Sequence, residues 1–254
     1  MIRLKNEQEI KILRAGGKRL AGLIERLSEE LKPGLKTGEL DDLAQELIAE
    51  AGDRPAFLNY RPEGAILAYP AALCVSINEE IVHGIPGGRV INDGDLVTLD
   101  LGLIHQGLVT DMARSFSIGE PSPEVAKLLM VTREALDIGI AAARPQGTVG
   151  DIGAAIEDYV TAAGFGLARD LSGHGVGFAV HEDPQVPNYG RPGEGAKLEP
   201  GLVIAIEPMV LAGREKTKLL GDGYTFITAD GSLCAHFEHT IAITETGVEI
   251  LTIK

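Results

Sequence analysis

Apolar residues recur at intervals of three and four in four stretches of the chain, which predicts four amphipathic helices. The first follows Asn6, a favourable N-cap residue, and ends at residues 32–34; the second ends at Gly52. The third begins after residues 121–123, and the fourth ends at Gly164. The remaining sequence is rich in Val, Ile, Leu and Thr between glycine turns, as is typical of strands. The pattern therefore predicts an α+β fold.

The two helix pairs match each other at an offset of 112 residues, with coincident proline, glycine and acidic positions. In addition, the apolar strand that ends at Asp100 resembles the one that ends at Glu207, at an offset of 107 residues. We interpret this as internal duplication, with a pseudo-twofold axis between related halves. We therefore expect one domain over residues 1–254, with halves of about 1–118 and 119–254.

Two aspartates interrupt strand-like sequence, Asp100 in residues 96–104 and Asp111 in residues 107–116. If the loop between them is His105-Gln106, the aspartates lie directly opposite each other in a hairpin, with Cβ atoms about 4.5–5.5 Å apart. Like charges at that distance destabilise the pair, so a shared proton or a hard cation would be needed. On this stretch alone, one solvated and one salt-bridged aspartate is the alternative.

Three more polar residues interrupt apolar or glycine-rich sequence: His174, Glu207 and Glu238. Any one of them alone is more often a satisfied core group than a ligand. Four neighbouring buried carboxylates, however, need about four positive charges, which two divalent ions supply. An oxygen-rich set with one imidazole suits Mn, Co, Fe or Zn. Two-metal sites of this kind activate water in hydrolases.

Composition narrows the class of protein further. The chain has 254 residues, of which 44% are hydrophobic and 24% charged, as in ordinary globular proteins. Its net charge of −14 opposes binding to a nucleic-acid backbone. The start, MIRLKNEQEI, lacks the apolar core of a signal peptide, and no apolar run is long enough to span a membrane. Cys74 and Cys234 have no metal-site spacing. We expect a cytoplasmic protein with no nucleic-acid or membrane partner.

The order of these motifs resembles that of the methionine aminopeptidases of the single-domain bacterial type, over essentially the whole chain. The motifs are two aspartates separated by ten residues, then HGVGFAVHE, IEPM and FEHT. The resemblance implies the duplicated pita-bread α+β fold, an antiparallel sheet with helices on its outer face. It also implies a dinuclear metal site whose ligands are Asp100, Asp111, His174, Glu207 and Glu238.

The same resemblance suggests further roles. His181 would stabilise the oxyanion, Glu207 would shuttle a proton, and His83 would contact the nitrogen of the scissile amide. On residue type alone, however, the two histidines could equally lie in surface loops. The residues implied for the methionine pocket are Tyr60, Tyr69, Cys74 and Tyr224.

The sequence also departs from the family pattern. Segment 61–70 is longer than usual, so Tyr60 could lie away from the pocket. Tyr224, Val180 and His236 stand where many relatives have Trp, Phe and Gln. These differences concern the shape of the pocket more than metal binding.

The resemblance implies removal of the N-terminal methionine from nascent proteins and peptides when the second residue is small. The enzyme would act as a monomer, with methionyl chains as its partners, which it could meet at the ribosome. One alternative is an Xaa-Pro aminopeptidase or prolidase, although those usually carry an additional N-terminal domain. The other is a non-catalytic pita-bread binding module, although such modules typically lose metal ligands.

Overall fold

The computed structural model describes residues 1–62, 64 and 66–254. Within these residues, all four predicted helices form. The Asn6 side chain accepts hydrogen bonds from the N–H groups of Gln8 and Glu9, and Ser122 caps the third helix in the same way. None of these helices is long and apolar enough to cross a membrane. The helices are α1 (Glu7–Ser28), α2 (Thr37–Glu50), α3 (Pro123–Ala142) and α4 (Val149–Ala162).

The strands pair antiparallel throughout the described residues. They are β1 (Arg54–Pro55), β2 (Leu73–Ile77), β3 (Glu80–Val82), β4 (Leu96–His105), β5 (Leu108–Ser117), β6 (Gly166–Leu167), β7 (Ser172–Gly175), β8 (Glu182–Pro187), β9 (Val203–Ile206), β10 (Met209–Leu211), β11 (Thr217–Leu219), β12 (Phe226–Thr228), β13 (Cys234–His236), β14 (His239–Ile243) and β15 (Val248–Ile250). The α+β class predicted from the pattern is confirmed.

Each helix pair covers one main sheet. In the first, β4 pairs with β1, β2 and β5, and its apolar face packs against α1 and α2 through residues such as Leu20 and Leu99. In the second, the order is β15-β14-β9-β7-β8, and α3 and α4 pack against it through residues such as Ile156 and Ile206. The bounds of α2, residues 37–50, become 149–162 when shifted by 112, which are the bounds of α4.

Strand β5 of the first sheet contacts two strands of the second half, β14 of the second main sheet and β13 of a smaller sheet, through two buried hydroxyls. Thr240 Oγ1 accepts a hydrogen bond from the Asp111 N–H at 2.9 Å and donates to the Asp111 carbonyl at 2.7 Å. Ser115 Oγ accepts from the His236 N–H at 2.9 Å and donates to the His236 carbonyl at 3.0 Å. These contacts bring the acidic strand ends of both halves together.

Candidate metal centre and substrate cavity

A cavity of about 230 Å³ lies where the two sheets meet. Its walls combine carboxylates and imidazoles on one side with aromatic and apolar groups on the other. All eleven site residues predicted from the sequence line it: Tyr60, Tyr69, Cys74, His83, Asp100, Asp111, His174, His181, Glu207, Tyr224 and Glu238.

The register of the β4–β5 hairpin differs from the prediction. His105 pairs with Leu108, so the loop is Gln106-Gly107 and not His105-Gln106. Both loop residues have positive φ, 48° and 86°, as a type I′ turn requires, and a glycine at the second position suits it. Asp111 consequently lies opposite Gly102, not opposite Asp100, and the predicted direct opposition is wrong.

The two aspartates nevertheless share a face of the sheet. Asp100 is two residues from Gly102, the partner of Asp111, and side chains two residues apart point to the same side of a strand. Both residues are buried. The aspartates are therefore diagonal neighbours, and Gly102 between them leaves the face open. A Cβ at Gly102 would lie 2.6 Å from the ring of Phe57, another cavity residue.

Glu207 and Glu238 come from the second half of the chain. Strands β9 and β14 pair His239 with Ile206, and β10 and β13 pair His236 with Met209 in the same register. The intervening residues Glu207 and Glu238 therefore lie opposite each other. The Glu238 N–H donates to the Ala113 carbonyl on β5 at 2.9 Å, which ties this pair to the hairpin that carries the aspartates.

His174 lies in β7, and its ring is oriented by its backbone. Nδ1 donates to the carbonyl of Gly175 at 2.9 Å, which leaves Nε2 as the nitrogen with a free lone pair. Nε2 lies 3.4 Å from Glu207 Oε1. A ring fixed through one nitrogen, with the other facing a carboxylate cluster, is the usual arrangement of a metal-binding histidine.

The buried carboxylates of this cluster are costly to ionise without a nearby positive charge. Burial, together with the neighbouring carboxylates, holds the pKa values of Asp100, Glu207 and Glu238 well above their usual range. Burial raises the pKa of Asp111 to about 7. Burial also lowers the pKa of His174 to about 3, so that this ring is neutral.

The residues present fit a divalent cation. The donor atoms of Asp111, His174 and Glu238 all lie within 4.8 Å of one another. The buried Oε1 of Glu238 has no hydrogen-bond partner among the described residues, and an unsatisfied buried carboxylate oxygen is costly. Oxygen and imidazole ligands in this combination suit Mn, Co, Fe or Zn.

The aromatic wall of the cavity is built around Tyr69, whose hydroxyl donates to the Gly84 carbonyl at 2.9 Å. Its ring meets that of Tyr224 edge-on, with 5.2 Å between the centroids. The Tyr224 hydroxyl donates to the carbonyl of Leu67. Cys74 stands directly across the strands from Asp100, so the apolar wall adjoins the carboxylate cluster.

His181 is exposed at the mouth of the cavity. Its Nδ1 lies 2.9 Å from the hydroxyl of Tyr60, and its ring meets that of His174 with 4.4 Å between the centroids. Tyr60 therefore remains at the cavity despite the long segment that follows it. The N–H of Tyr69 donates to the Tyr60 carbonyl at 2.8 Å and closes the base of segment 61–70, in which residues 63 and 65 lie outside the described residues.

His83 has a positive φ of 60°, and its ring contacts that of Phe226, with 6.2 Å between the centroids. Burial lowers its pKa to about 4.

Sequence reasoning missed Phe226 as a cavity residue. It also noted His236 only as a departure from the family. His236 is buried, with Nε2 3.5 Å from Glu207 Oε2, and neither of its ring nitrogens has a hydrogen-bond partner in the part of the chain that the structure describes.

The whole chain is similar to known metallopeptidases. Residues 11–245 match the model of metallopeptidase family M24. The chain belongs to metallopeptidase family M24. Among curated M24 relatives, it is 46% identical to a methionine aminopeptidase of Clostridium perfringens over 253 residues, covering 100% of this chain and 99% of the relative. It is also 46% identical to methionine aminopeptidase 1 of Bacillus subtilis, with 99% of both chains covered.

Solved M24 structures confirm the pita-bread fold. The methionine aminopeptidase of Rickettsia prowazekii superimposes with a TM-score of 0.95 at 37% identity, covering 100% of both chains. A prolidase from Pyrococcus furiosus superimposes with a TM-score of 0.78 at 23% identity, and the match covers 99% of this chain but 65% of the prolidase. The second similarity concerns the fold alone, so the prolidase alternative is not favoured.

Proposed function

We propose that this M24 metallopeptidase removes the N-terminal methionine from peptides and nascent proteins whose second residue is small. One observation carries the proposal: the five candidate metal ligands and the six candidate substrate residues line a single cavity. The full-length similarity to methionine aminopeptidases supports the same activity.

We propose that Asp100, Asp111, His174, Glu207 and Glu238 hold two divalent ions of Co, Mn, Fe or Zn. Four carboxylates and a neutral imidazole carry a charge of about −4, which two such ions balance. When bound, the ions would lower the pKa of water and polarise the scissile carbonyl. The number and identity of the ions can be measured by elemental analysis of protein purified with each metal.

The chain's own residues supply the proton transfers. Glu207 would take the proton of the attacking water and pass it to the leaving amine, because its carboxylate lines the cavity beside the other candidate metal ligands. His181 would donate from Nε2 to the developing oxyanion, since the Tyr60 hydroxyl faces Nδ1. His83 lines the same cavity and would contact the amide nitrogen of the scissile bond.

The apolar wall suits the methionine side chain. Two aromatic rings and a thiol line this part of the cavity, and all three side chains are buried: Tyr69, Tyr224 and Cys74. An unbranched, polarisable thioether fits such a surface better than a branched side chain. A pocket of this kind discriminates by about 1–3 kcal/mol per misfitted methylene, or roughly 10- to 200-fold in kcat/KM.

A comparison of kcat/KM for Met-Ala, Met-Leu, Leu-Ala and Met-Pro peptides, with metal-loaded and chelator-treated enzyme, tests this function. We expect metal-dependent cleavage, fastest for Met-Ala. Rapid cleavage of Leu-Ala, preference for Met-Pro, or full activity of verified metal-free protein would contradict the proposal. Equal rates for Met-Ala and Met-Leu would overturn only the limit on the second residue.

Three further predictions concern the setting of this activity: a single catalytic domain with the two related halves, a monomer, and action in the cytoplasm on chains at the ribosome. Limited proteolysis tests the single domain, and gel filtration with light scattering tests the monomer. Co-sedimentation of the enzyme with translating ribosomes tests the third, and recovery only in the unbound fraction would contradict it.

A further inference from the structure

The first residues of the chain lie against the turn that leads to His181. The Lys5 N–H donates to the Gly201 carbonyl at 2.7 Å. The Lys5 ammonium donates to Glu182 Oε2, also at 2.7 Å, although the two residues are 177 positions apart. The Lys5 side chain has no solvent exposure, and that of Glu182 is 8% exposed. This buried ion pair thus includes Glu182, the residue that directly follows His181 in the sequence.

The same glutamate organises the turn. While Oε2 accepts from Lys5, Oε1 accepts from the backbone N–H groups of Phe178 and Ala179, the latter at 2.8 Å. Both carboxylate oxygens are thus used, one for the turn and one for the N-terminal segment. The position of Glu182 therefore fixes the backbone path from residue 177 to His181.

Packing around the ion pair leaves little room for movement. Gly177 has a φ of 136°, and a Cβ there would lie 2.5 Å from Cε of Lys5, so the lysine stem occupies the space that a side chain would fill. The Phe178 ring lies beneath the Arg3 guanidinium, with Cζ 3.8 Å from the centroid, and 5.0 Å from the Lys5 ammonium. The turn is held from the N-terminal side by packing as well as by charge.

His181 itself has few direct restraints. It is exposed at the cavity mouth, and its described side-chain contacts are those with Tyr60 and His174. The direction of its ring therefore depends on the backbone of the turn. A buried ion pair contributes little net stability compared with apolar packing, whereas breaking one by removing a partner is strongly destabilising. The pair is thus better suited to fixing geometry than to adding stability.

We propose that Lys5 is a positioning residue for catalysis, which holds His181 in its working orientation through the Glu182 carboxylate. This inference rests on the oxyanion role given to His181 in the proposed function. Lys5 does not line the cavity, and it acts through the chain of contacts Lys5–Glu182–turn–His181.

A double-mutant cycle with Lys5→Met and His181→Ala tests the inference in the full-length, metal-loaded enzyme. Because a misplacement of about 1 Å can cost roughly 10²-fold in rate, we expect K5M alone to lower kcat on Met-Ala-Ser by about 10- to 100-fold, with metal content as in the wild type. In the H181A background, K5M should cause no further loss of kcat. Lys5 is proposed to affect kcat only by orienting the His181 ring, and that ring is absent in H181A. An equal loss in both backgrounds, or an unchanged kcat in K5M alone, would overturn the proposal.

Arg14→Met is the matched control. Arg14 also forms an ion pair distant in sequence, with Glu249, at 2.8 Å between Nη2 and Oε2, but the pair is partly exposed and both residues lie outside the cavity lining. We expect R14M to leave kcat at the wild-type value. An equal loss in R14M and K5M would assign the effect to general destabilisation, against the proposal.

If K5M does not fold, the double variant Lys5→Met/Glu182→Gln tests the same positioning role. The glutamine oxygen can still accept hydrogen bonds from the turn, and both buried charges are gone. This variant should therefore fold but lack the tether, by which we mean the ion pair of Lys5 and Glu182, and its kcat should still be low.

Amide hydrogen exchange over residues 177–183 gives a readout independent of activity. We expect faster exchange there in K5M/E182Q and unchanged exchange in R14M; unchanged exchange in both would overturn the tether. If the wild type released no methionine, the proposed function would fail, while exchange would still report on the tether.

Discussion

Binding of a divalent ion should release protons from the cavity, and the structure indicates which ones. Burial raises the pKa of Asp111 to about 7 in the metal-free protein, and holds those of Asp100, Glu207 and Glu238 well above the usual carboxyl range. The pKa of His174 is lowered to about 3, so its ring carries no competing proton near neutrality. A cation must therefore displace carboxyl protons and not an imidazole proton.

The size of the effect follows from these values. With a pKa of about 7, Asp111 is roughly 90% protonated at pH 6 and roughly 10% protonated at pH 8. This carboxyl alone then makes metal binding about tenfold tighter at pH 8 than at pH 6, equivalent to about 1.4 kcal/mol. Each further carboxyl that must lose its proton adds up to about tenfold per pH unit. We therefore expect an increase of at least about tenfold.

The assay is calorimetric titration of Mn²⁺ or Co²⁺ into chelator-treated protein at pH 6, 7 and 8, in two buffers with different ionisation enthalpies. The difference between the buffers counts the protons released per ion. Glu46→Gln removes an exposed carboxylate on α2 and should leave both the affinity change and the proton count as in the wild type. Binding that is equally tight at pH 6 and pH 8, with no protons released, would refute the buried-carboxyl argument.

Three further predictions follow from particular contacts. The cavity carboxyls have higher pKa values in the folded protein than in the unfolded chain, so the unfolded chain binds fewer protons. The Tm of metal-free protein should therefore fall as pH rises from about 6.5 to about 8, the range in which Asp111, with a pKa of about 7, loses its proton. The buried histidines, whose pKa values are lowered, oppose this fall only below about pH 6.5, and a Tm that rises over the same range would contradict the reasoning. Gly17→Ala should destabilise the protein by about 1–3 kcal/mol in urea unfolding, because its Cβ would lie 2.3 Å from the Leu251 carbonyl oxygen. A Cβ at Gly22 would have no described atom within 4 Å outside its own stretch of α1, so Gly22→Ala should stabilise the protein by up to about 1 kcal/mol. Equal effects of the two substitutions would be inconsistent with this packing. Tyr60→Phe removes the hydroxyl beside Nδ1 of His181 and should lower kcat with metal content unchanged, and loss of metal instead would place Tyr60 in support of the metal site.

Much of the fold could be predicted from the sequence because helix formation leaves a local signature. Asn6 caps α1 as predicted, α3 begins at Pro123 within the predicted turn, and the 112-residue offset reappears in the bounds of α2 and α4. The candidate site was similarly readable, because a charged residue in apolar sequence needs a compensating partner wherever the strand lies. Asp100 and Glu238 could be singled out on those grounds before their neighbours were known.

The tertiary structure decided what depends on geometry between distant segments. The hairpin register depended on the turn: Gly107 favours the positive φ of a type I′ loop, and placing the loop one residue later moved Asp111 from opposite Asp100 to opposite Gly102. The ion pair of Lys5 and Glu182 could not be predicted from the sequence, because the two residues are 177 positions apart and a lysine near a chain end is ordinarily exposed. Periodicity and residue type reflect local conformation and the cost of burial, so the sequence by itself determined the helices, the strands and the residue types of the candidate ligands. Contacts between distant residues depend on how the two halves pack together, so only the folded chain determined the register, the cavity and the support of His181.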